Sequence, residues 1–184
     1  MIPLVLIRHG PTDWTAAGRL QGRVDQPLSE AGRERLRALT LPDDLRTWEW
    51  ISSPLSRAIE TAIILRGFVE RLEPALIERD AGAFEGLTRD ELDAEVRRLS
   101  LRDGLDWCPP GGESPRAVMA RLKAFLPTLI KPTVAVTHRG VIEAALALST
   151  GWDYTGPPPV RLKPGVALRF AVTGANLVYE GPVG

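Results

Sequence analysis

Only two histidines occur in this chain of 184 residues, and both stand in the same local setting. His9 closes the run Leu6-Ile7-Arg8-His9, and Gly10 follows it. His138 closes Val136-Thr137-His138, with Arg139 and Gly140 next. Imidazole can act as a nucleophile, a general base or a metal ligand. One histidine at a strand end is as readily a structural residue as a functional one. Two in the same context argue for a shared site, because ligands of an open α/β sheet bind at the carboxyl ends of its strands. A metal centre would need further ligands at regular spacing, and no HxH, HxxH or HExxH pattern is present. No metal and no cofactor are expected. Cys108, flanked by Trp107 and Pro109, is the one cysteine. It reads as structural, it excludes an intrachain disulfide, and it does not imply an oxidising compartment.

Elements that could position the two histidines are visible in the hydrophobic pattern. Residues 3–7 form a continuous apolar run, the mark of a buried parallel strand. Residues 133–137 are the clearest β-branched run and predict a central strand, with the next helix beginning over 141–148. Between them the pattern predicts a helix over 29–39 capped by Ser29, a strand over 50–52 and a helix over 55–68. A third strand over 73–78 is weakly signalled. A helix over 88–99 is expected, with Thr88 and Glu91 as a capping box, and another over 116–129. The stretch 79–87, with Gly82 and Gly86, and the Gly- and Pro-rich stretch 103–115 read as loops, and 157–159 as a rigid spacer. Runs at 166–172 and 177–179, separated by Gly174, predict a terminal hairpin. Recurring strand–helix pairs imply an α/β class, three-layered with a mostly parallel sheet, in a single domain over 1–184.

Bulk properties narrow the partners. The 23 basic and 23 acidic side chains cancel, without the basic excess usual in a nucleic-acid binder. No run reaches the roughly 20 apolar residues of a membrane span, and the first residues do not read as a signal peptide. The expected partner is a small anion and the expected location the cytoplasm, with neither nucleic acid nor membrane involved.

An ordered set of motifs then gives a specific resemblance. Arg8-His9-Gly10 is followed by Thr12, Trp14, Gly18-Arg19, Gln21-Gly22, Asp25 and Pro27-Leu28-Ser29. After these come Ser52-Ser53-Pro54 with Arg57-Ala58 and Thr61-Ala62, then Glu78, Phe84-Glu85-Gly86, Gly111-Gly112-Glu113-Ser114 and Thr137-His138. This series resembles the histidine phosphatase superfamily, which includes the cofactor-dependent phosphoglycerate mutases and many small phosphatases. The resemblance implies a phosphoglycerate mutase-like fold and a phosphoryl group carried on His9. It implies that Arg8, Arg57 and His138 hold the phosphoryl oxygens, with Gln21 and Gly22 as further substrate contacts, and that Glu78 is the proton donor; Thr15 and Arg139 are expected as substrate contacts too, at positions that depart from the pattern. Asp80 and Glu85 are alternatives for the proton donor.

Physical chemistry fits these roles. Phosphoryl transfer is catalysed mainly by positioning and charge stabilisation, and the planar fork of arginine suits phosphate oxygens. His9 must be neutral at its attacking nitrogen, so its other nitrogen should donate to a backbone carbonyl, which the resemblance places near Gly10. His138 would be more useful protonated. Three departures from the family pattern bear on substrate: Thr15 where asparagine is common, Pro11 after the first motif, and Arg139 where glycine is frequent. An inward Arg139 would favour a substrate with a second anionic group. Only 55 residues separate Arg57 from Glu113, leaving little room for the insertion typical of mutases. A phosphatase acting on small phosphate monoesters is therefore expected. A mutase, or a silent phosphate-binding regulatory protein on the same scaffold, is the alternative.

Overall fold

The computed structural model describes residues 1–183 and contains one six-stranded sheet in the order β3-β2-β4-β1-β5-β6. The strands are β1 (Ile2–Arg8), β2 (Glu49–Ser52), β3 (Arg71–Leu72), β4 (Thr133–Thr137), β5 (Ala167–Thr173) and β6 (Asn176–Pro182). The pairs β3·β2, β2·β4 and β4·β1 are parallel, while β5 runs antiparallel to both β1 and β6. The mostly parallel α/β fold expected from the sequence is what forms.

Alternation along the central strands builds two cores. Leu4 and Leu6 of β1, Ala135 of β4 and Phe170 of β5 face one side. There they pack against α5 (Pro115–Phe125) and α6 (Arg139–Thr150) through Val118, Leu122, Val141 and Ile142. Val5, Ile7, Val134 and Val136 face the other side, against Ala58 and Ala62 of α3 (Ser56–Arg66) and the buried ring of Trp50. α2 (Glu30–Arg37), capped by Ser29, packs outside α3. Strands apolar on both faces are what a sheet sandwiched between helices requires.

Some sequence expectations are corrected. The strand expected over 73–78 is only Arg71–Leu72; a 3-10 turn follows at Pro74–Leu76, because Pro74 supplies no amide for a ladder. The Thr88–Glu91 box does form, with Thr88 N–H donating to Glu91 Oε2 at 2.7 Å, but it closes a turn and not a helix. The helix, α4, starts six residues later (Ala94–Asp103) with Asp93 as its cap. A short helix α1 (Asp13–Ala16) is additional to the expected elements, its reciprocal cap being made by Thr12 and Thr15. The loop stretch 103–115 contains a 3-10 turn at Gly104–Asp106, and the helix expected to run to 129 ends at Phe125.

Candidate active site

Register brings the two histidines together. Arg8 lies opposite Thr137 in the β1·β4 ladder, so the next residue of each strand is a histidine at the carboxyl edge. The ring centroids are 5.1 Å apart, tilted by 56°, and both residues are buried.

His9 Nδ1–H donates to Gly10 O at 2.7 Å, the local acceptor expected from the sequence. That bond leaves Nε2 with its lone pair. Burial, reinforced by the charges of Arg57 and Arg8, pushes the imidazole pKa down to about 3. His9 is therefore neutral throughout the physiological range. Gly10 N–H in turn donates to Thr61 Oγ1 at 3.0 Å, and Thr61 donates to Arg57 O at 2.7 Å, so α3 braces the nucleophile loop.

Arg57 is fully buried and not the solvated helix-face residue an isolated arginine usually is. Its Nη1 donates to Val24 O at 2.8 Å, its Nη2 to Gly22 O at 2.7 Å and its Nε to His138 Nδ1 at 3.3 Å. Arginine can only donate, so His138 Nδ1 must accept and its proton sits on Nε2. Nε2–H donates to the buried Ser53 Oγ at 2.7 Å. Burial together with His9 and Arg57 lowers the His138 pKa well below the ordinary histidine value. Its protonated form, expected to be the useful one, is thus disfavoured in this arrangement. An oxyanion between Nδ1 and Arg57 would reverse the preference.

Arg8 follows the same edge. Its Nη1 donates to Leu162 O, while its buried Nε has no hydrogen-bond partner among the described residues. Burial lowers its pKa to about 10, so it stays cationic. Glu78 comes from the segment after the Pro74–Leu76 turn, which Thr137 Oγ1 ties to the end of β4 by donating to Leu76 O at 2.8 Å. Glu78 Oε1 accepts from Arg79 N at 2.8 Å and from Gly140 N, in the first turn of α6, at 3.0 Å. Desolvation outweighs those bonds and raises the carboxyl pKa.

Other expected contacts sort differently. Thr15 Oγ1 accepts from Gln21 Nε2 at 3.0 Å, and Gln21 Oε1 accepts from Thr12 Oγ1 at 2.8 Å, so these side chains satisfy one another. Gly22 contributes its carbonyl to Arg57. Its φ of +51°, and the approach of Glu85 Oε1 to 2.1 Å from where a Cβ would stand, explain the glycine. Arg139 is half-exposed and paired with Glu143 at 2.7 Å. Of the alternative acids, Asp80 Oδ1 caps Gly82 N and Glu85 Oε1 accepts from Arg23 N. Ser53, Thr61 and Gly140 were not assigned roles from sequence, although all three lie inside motifs quoted there. A cavity of about 250 Å³ lies behind this edge, lined by Pro11, Leu36, Leu39 and Val166. It is largely apolar and holds none of the groups above. Among the described residues no three His, Cys, Asp or Glu side chains gather as a metal-holding group, and no helix is long and apolar enough to cross a membrane.

The fold and this edge define an α/β protein with two buried imidazoles, the buried guanidinium of Arg57 and the partly buried one of Arg8 gathered where parallel strands end. The chain belongs to the histidine phosphatase superfamily, whose branch 1 model matches residues 4–176. It is 35% identical over 163 residues to the glucosyl-3-phosphoglycerate phosphatase of Mycobacterium tuberculosis, covering 78% of this chain and 73% of that protein. It is 34% identical over 157 residues to the metal-independent phosphoserine phosphatase of Arabidopsis thaliana, covering 77% of this chain and 66% of that one. A crystal structure of a phosphoglycerate mutase from Thermus thermophilus superposes with a TM-score of 0.79 at 36% identity, covering 100% of this chain and 99% of that one. Phosphatases and mutases thus both stand among its relatives.

Proposed function

We propose that this protein, a single domain over 1–184, is a metal-independent phosphatase that hydrolyses small phosphate monoesters through a phosphohistidine on His9. The observation that carries the reading is the state of His9: buried, neutral, with Nδ1–H committed to Gly10 O and Nε2 left as a lone pair beside Arg8, Arg57 and His138. The unpartnered Nε of Arg8 is a donor that a phosphoryl oxygen would satisfy.

In the first step Nε2 of His9 attacks phosphorus and the ester oxygen leaves. Glu78, whose protonated form burial favours, gives that oxygen its proton. Arg8 and Arg57 hold the equatorial oxygens, and His138 joins them once a monoanionic ester has given its phosphate proton to Nδ1, which then donates to the resulting oxyanion. In the second step the Glu78 carboxylate takes a proton from water as water attacks the phosphohistidine. Inorganic phosphate is released and Glu78 is again protonated.

A mutase reading draws on the Thermus structure, whose equal extent shows that chain length alone does not separate the two activities. The test is hydrolysis of p-nitrophenyl phosphate in chelator by wild type and His9→Ala. Turnover that survives chelator and is lost in the variant supports the proposal. Chelator-sensitive turnover that tolerates the substitution refutes it, and isomerisation of a primed phosphoglycerate without net phosphate release would favour the mutase.

A further inference from the structure

The apolar cavity behind the nucleophile loop takes no part in the chemistry at His9, and it has the features of a second ligand site. It measures about 250 Å³ and lies between the last turn of α2 and the segment 163–166 that leads into β5. Pro11, Leu36 and Val166 wall it, and Leu39, left 39% exposed, offers a large apolar side chain at the mouth. Leu39 Cδ2 stands over Gly165, 4.0 Å from where a Cβ would be.

Arg35 and Lys163 complete the lining, and no carboxylate belongs to it. Both cations are exposed, and neither has a hydrogen-bond or ion-pair partner among the described residues. On the same helix, by contrast, Arg33 pairs with Glu60 and Arg37 with Glu30. Apolar walls select a hydrocarbon chain, and the two cations at the mouth select an anionic head. The volume sets the length: at about 30 Å³ per heavy atom, the share of a water in its liquid, the cavity takes roughly eight of them. A straight-chain carboxylate of about eight carbons fills it with its head at the mouth.

Both walls reach the nucleophile. On one side Leu36 Cδ1 lies 2.6 Å from where a Cβ of Gly10 would stand, and Pro11 continues the chain from Gly10, whose carbonyl holds His9 Nδ1. On the other side Gly165 N donates to Arg8 O at 3.0 Å and Arg8 N to Val166 O at 2.9 Å, while Arg8 Nη1 donates to Leu162 O. A chain lodged between these walls bears on the backbone on either side of His9.

We infer that this cavity binds a medium-chain aliphatic carboxylate, its head between Arg35 and Lys163 and its chain against Leu36, Leu39 and Val166, and that occupancy is transmitted to His9 through Gly10 and Arg8.

Titration calorimetry with butanoate, octanoate and octanol tests the site. Affinity should rise about two- to fourfold per methylene from butanoate to octanoate, the upper figure being a fully buried CH₂. Arg35→Gln combined with Lys163→Gln should weaken octanoate about tenfold, the worth of two exposed ion pairs, and leave octanol unchanged. Both positions are exposed, and an unchanged melting temperature checks that the fold is kept. Transmission is read by NMR from the imidazole signals of the two histidines, that of His9 being identified by its loss in His9→Gln. Octanoate should shift it in wild type and not in the double variant. Octanoate that binds no tighter than butanoate, or as tightly to the double variant as to wild type, overturns the site. Binding that follows chain length and charge but leaves the His9 signal unmoved overturns the transmission. Neither measurement depends on turnover, so failure of the phosphatase reading is told apart from failure of this inference.

Discussion

Gly140→Ala should separate activity from stability. Gly140 has an ordinary helical backbone, so its value is closeness and not conformational freedom. A Cβ there would lie 2.5 Å from Glu78 Oε1 and 3.0 Å from Arg79 Cβ. The carboxyl must retreat by roughly 1 Å, a misplacement that can cost on the order of 100-fold in rate. Stability should change little, because two small effects oppose. Alanine is favoured over glycine inside a helix by roughly 0.5–1 kcal/mol. Against this, lengthening the Gly140 N–H bond to Glu78 gives up about 1 kcal/mol. The assay compares kcat/KM for an alkyl phosphate, whose alkoxide must be protonated as it leaves, with p-nitrophenyl phosphate, whose phenolate needs no proton. The alkyl ester should lose about 100-fold and the aryl ester under tenfold, the range of general-acid catalysis. Equal losses on the two esters would mean that the alanine disturbs phosphate binding and not proton donation. No loss on the alkyl ester would remove Glu78 from the role given it here.

Two further outcomes follow from the buried network. Both histidines have folded-state pKa values below the ordinary 6.5, so the unfolded chain takes up their protons first as pH falls. The stability they contribute is present above pH 6.5 and is lost below it, by about 2 kcal/mol for His9 between pH 6.5 and 5 and in the same direction for His138. Glu78, with its raised value, works the opposite way and offsets part of the loss. Urea midpoints should therefore fall across that window, and His9→Gln should flatten the fall; a midpoint independent of pH would show that the histidines are not buried as neutral groups. Ser53→Ala strands the Nε2–H of His138 in a buried position. It should cost about 1–3 kcal/mol in urea unfolding, and a variant as stable as wild type would refute the assigned tautomer.

The edge of the sheet was legible because two signals coincide there. The apolar runs before His9 and His138 read as strands that deliver both imidazoles to one edge of the sheet, and the β1·β4 pairing makes them neighbours with both imidazoles at one end. Motif order brought Arg57 and Glu78 to the same place, although nothing in a helical pattern distinguishes a buried guanidinium from a solvated one. The segment after Gly86 departs from its pattern for a related reason. Thr88 and Glu91 carry the local chemistry of a helix start, and that chemistry is satisfied in a turn because Thr88 also bridges Arg19. The backbone of the 18–23 loop is held there, with Gly86 N–H donating to Leu20 O at 2.7 Å.

What the sequence could not show is direction of approach. Gly140 reads from its letter alone as a helix weakness, yet it is the gap through which an amide reaches Glu78. Gly22 is expected as a substrate contact, yet its carbonyl is what holds Arg57. Both glycines act by letting a carboxylate come close: Glu85 against the 22–23 turn that carries Arg57, and Glu78 against the helix that begins beside His138. The site thus depends on two close approaches as much as on its four cationic and imidazole side chains, and a side chain added at either glycine should alter the chemistry without removing any group that performs it.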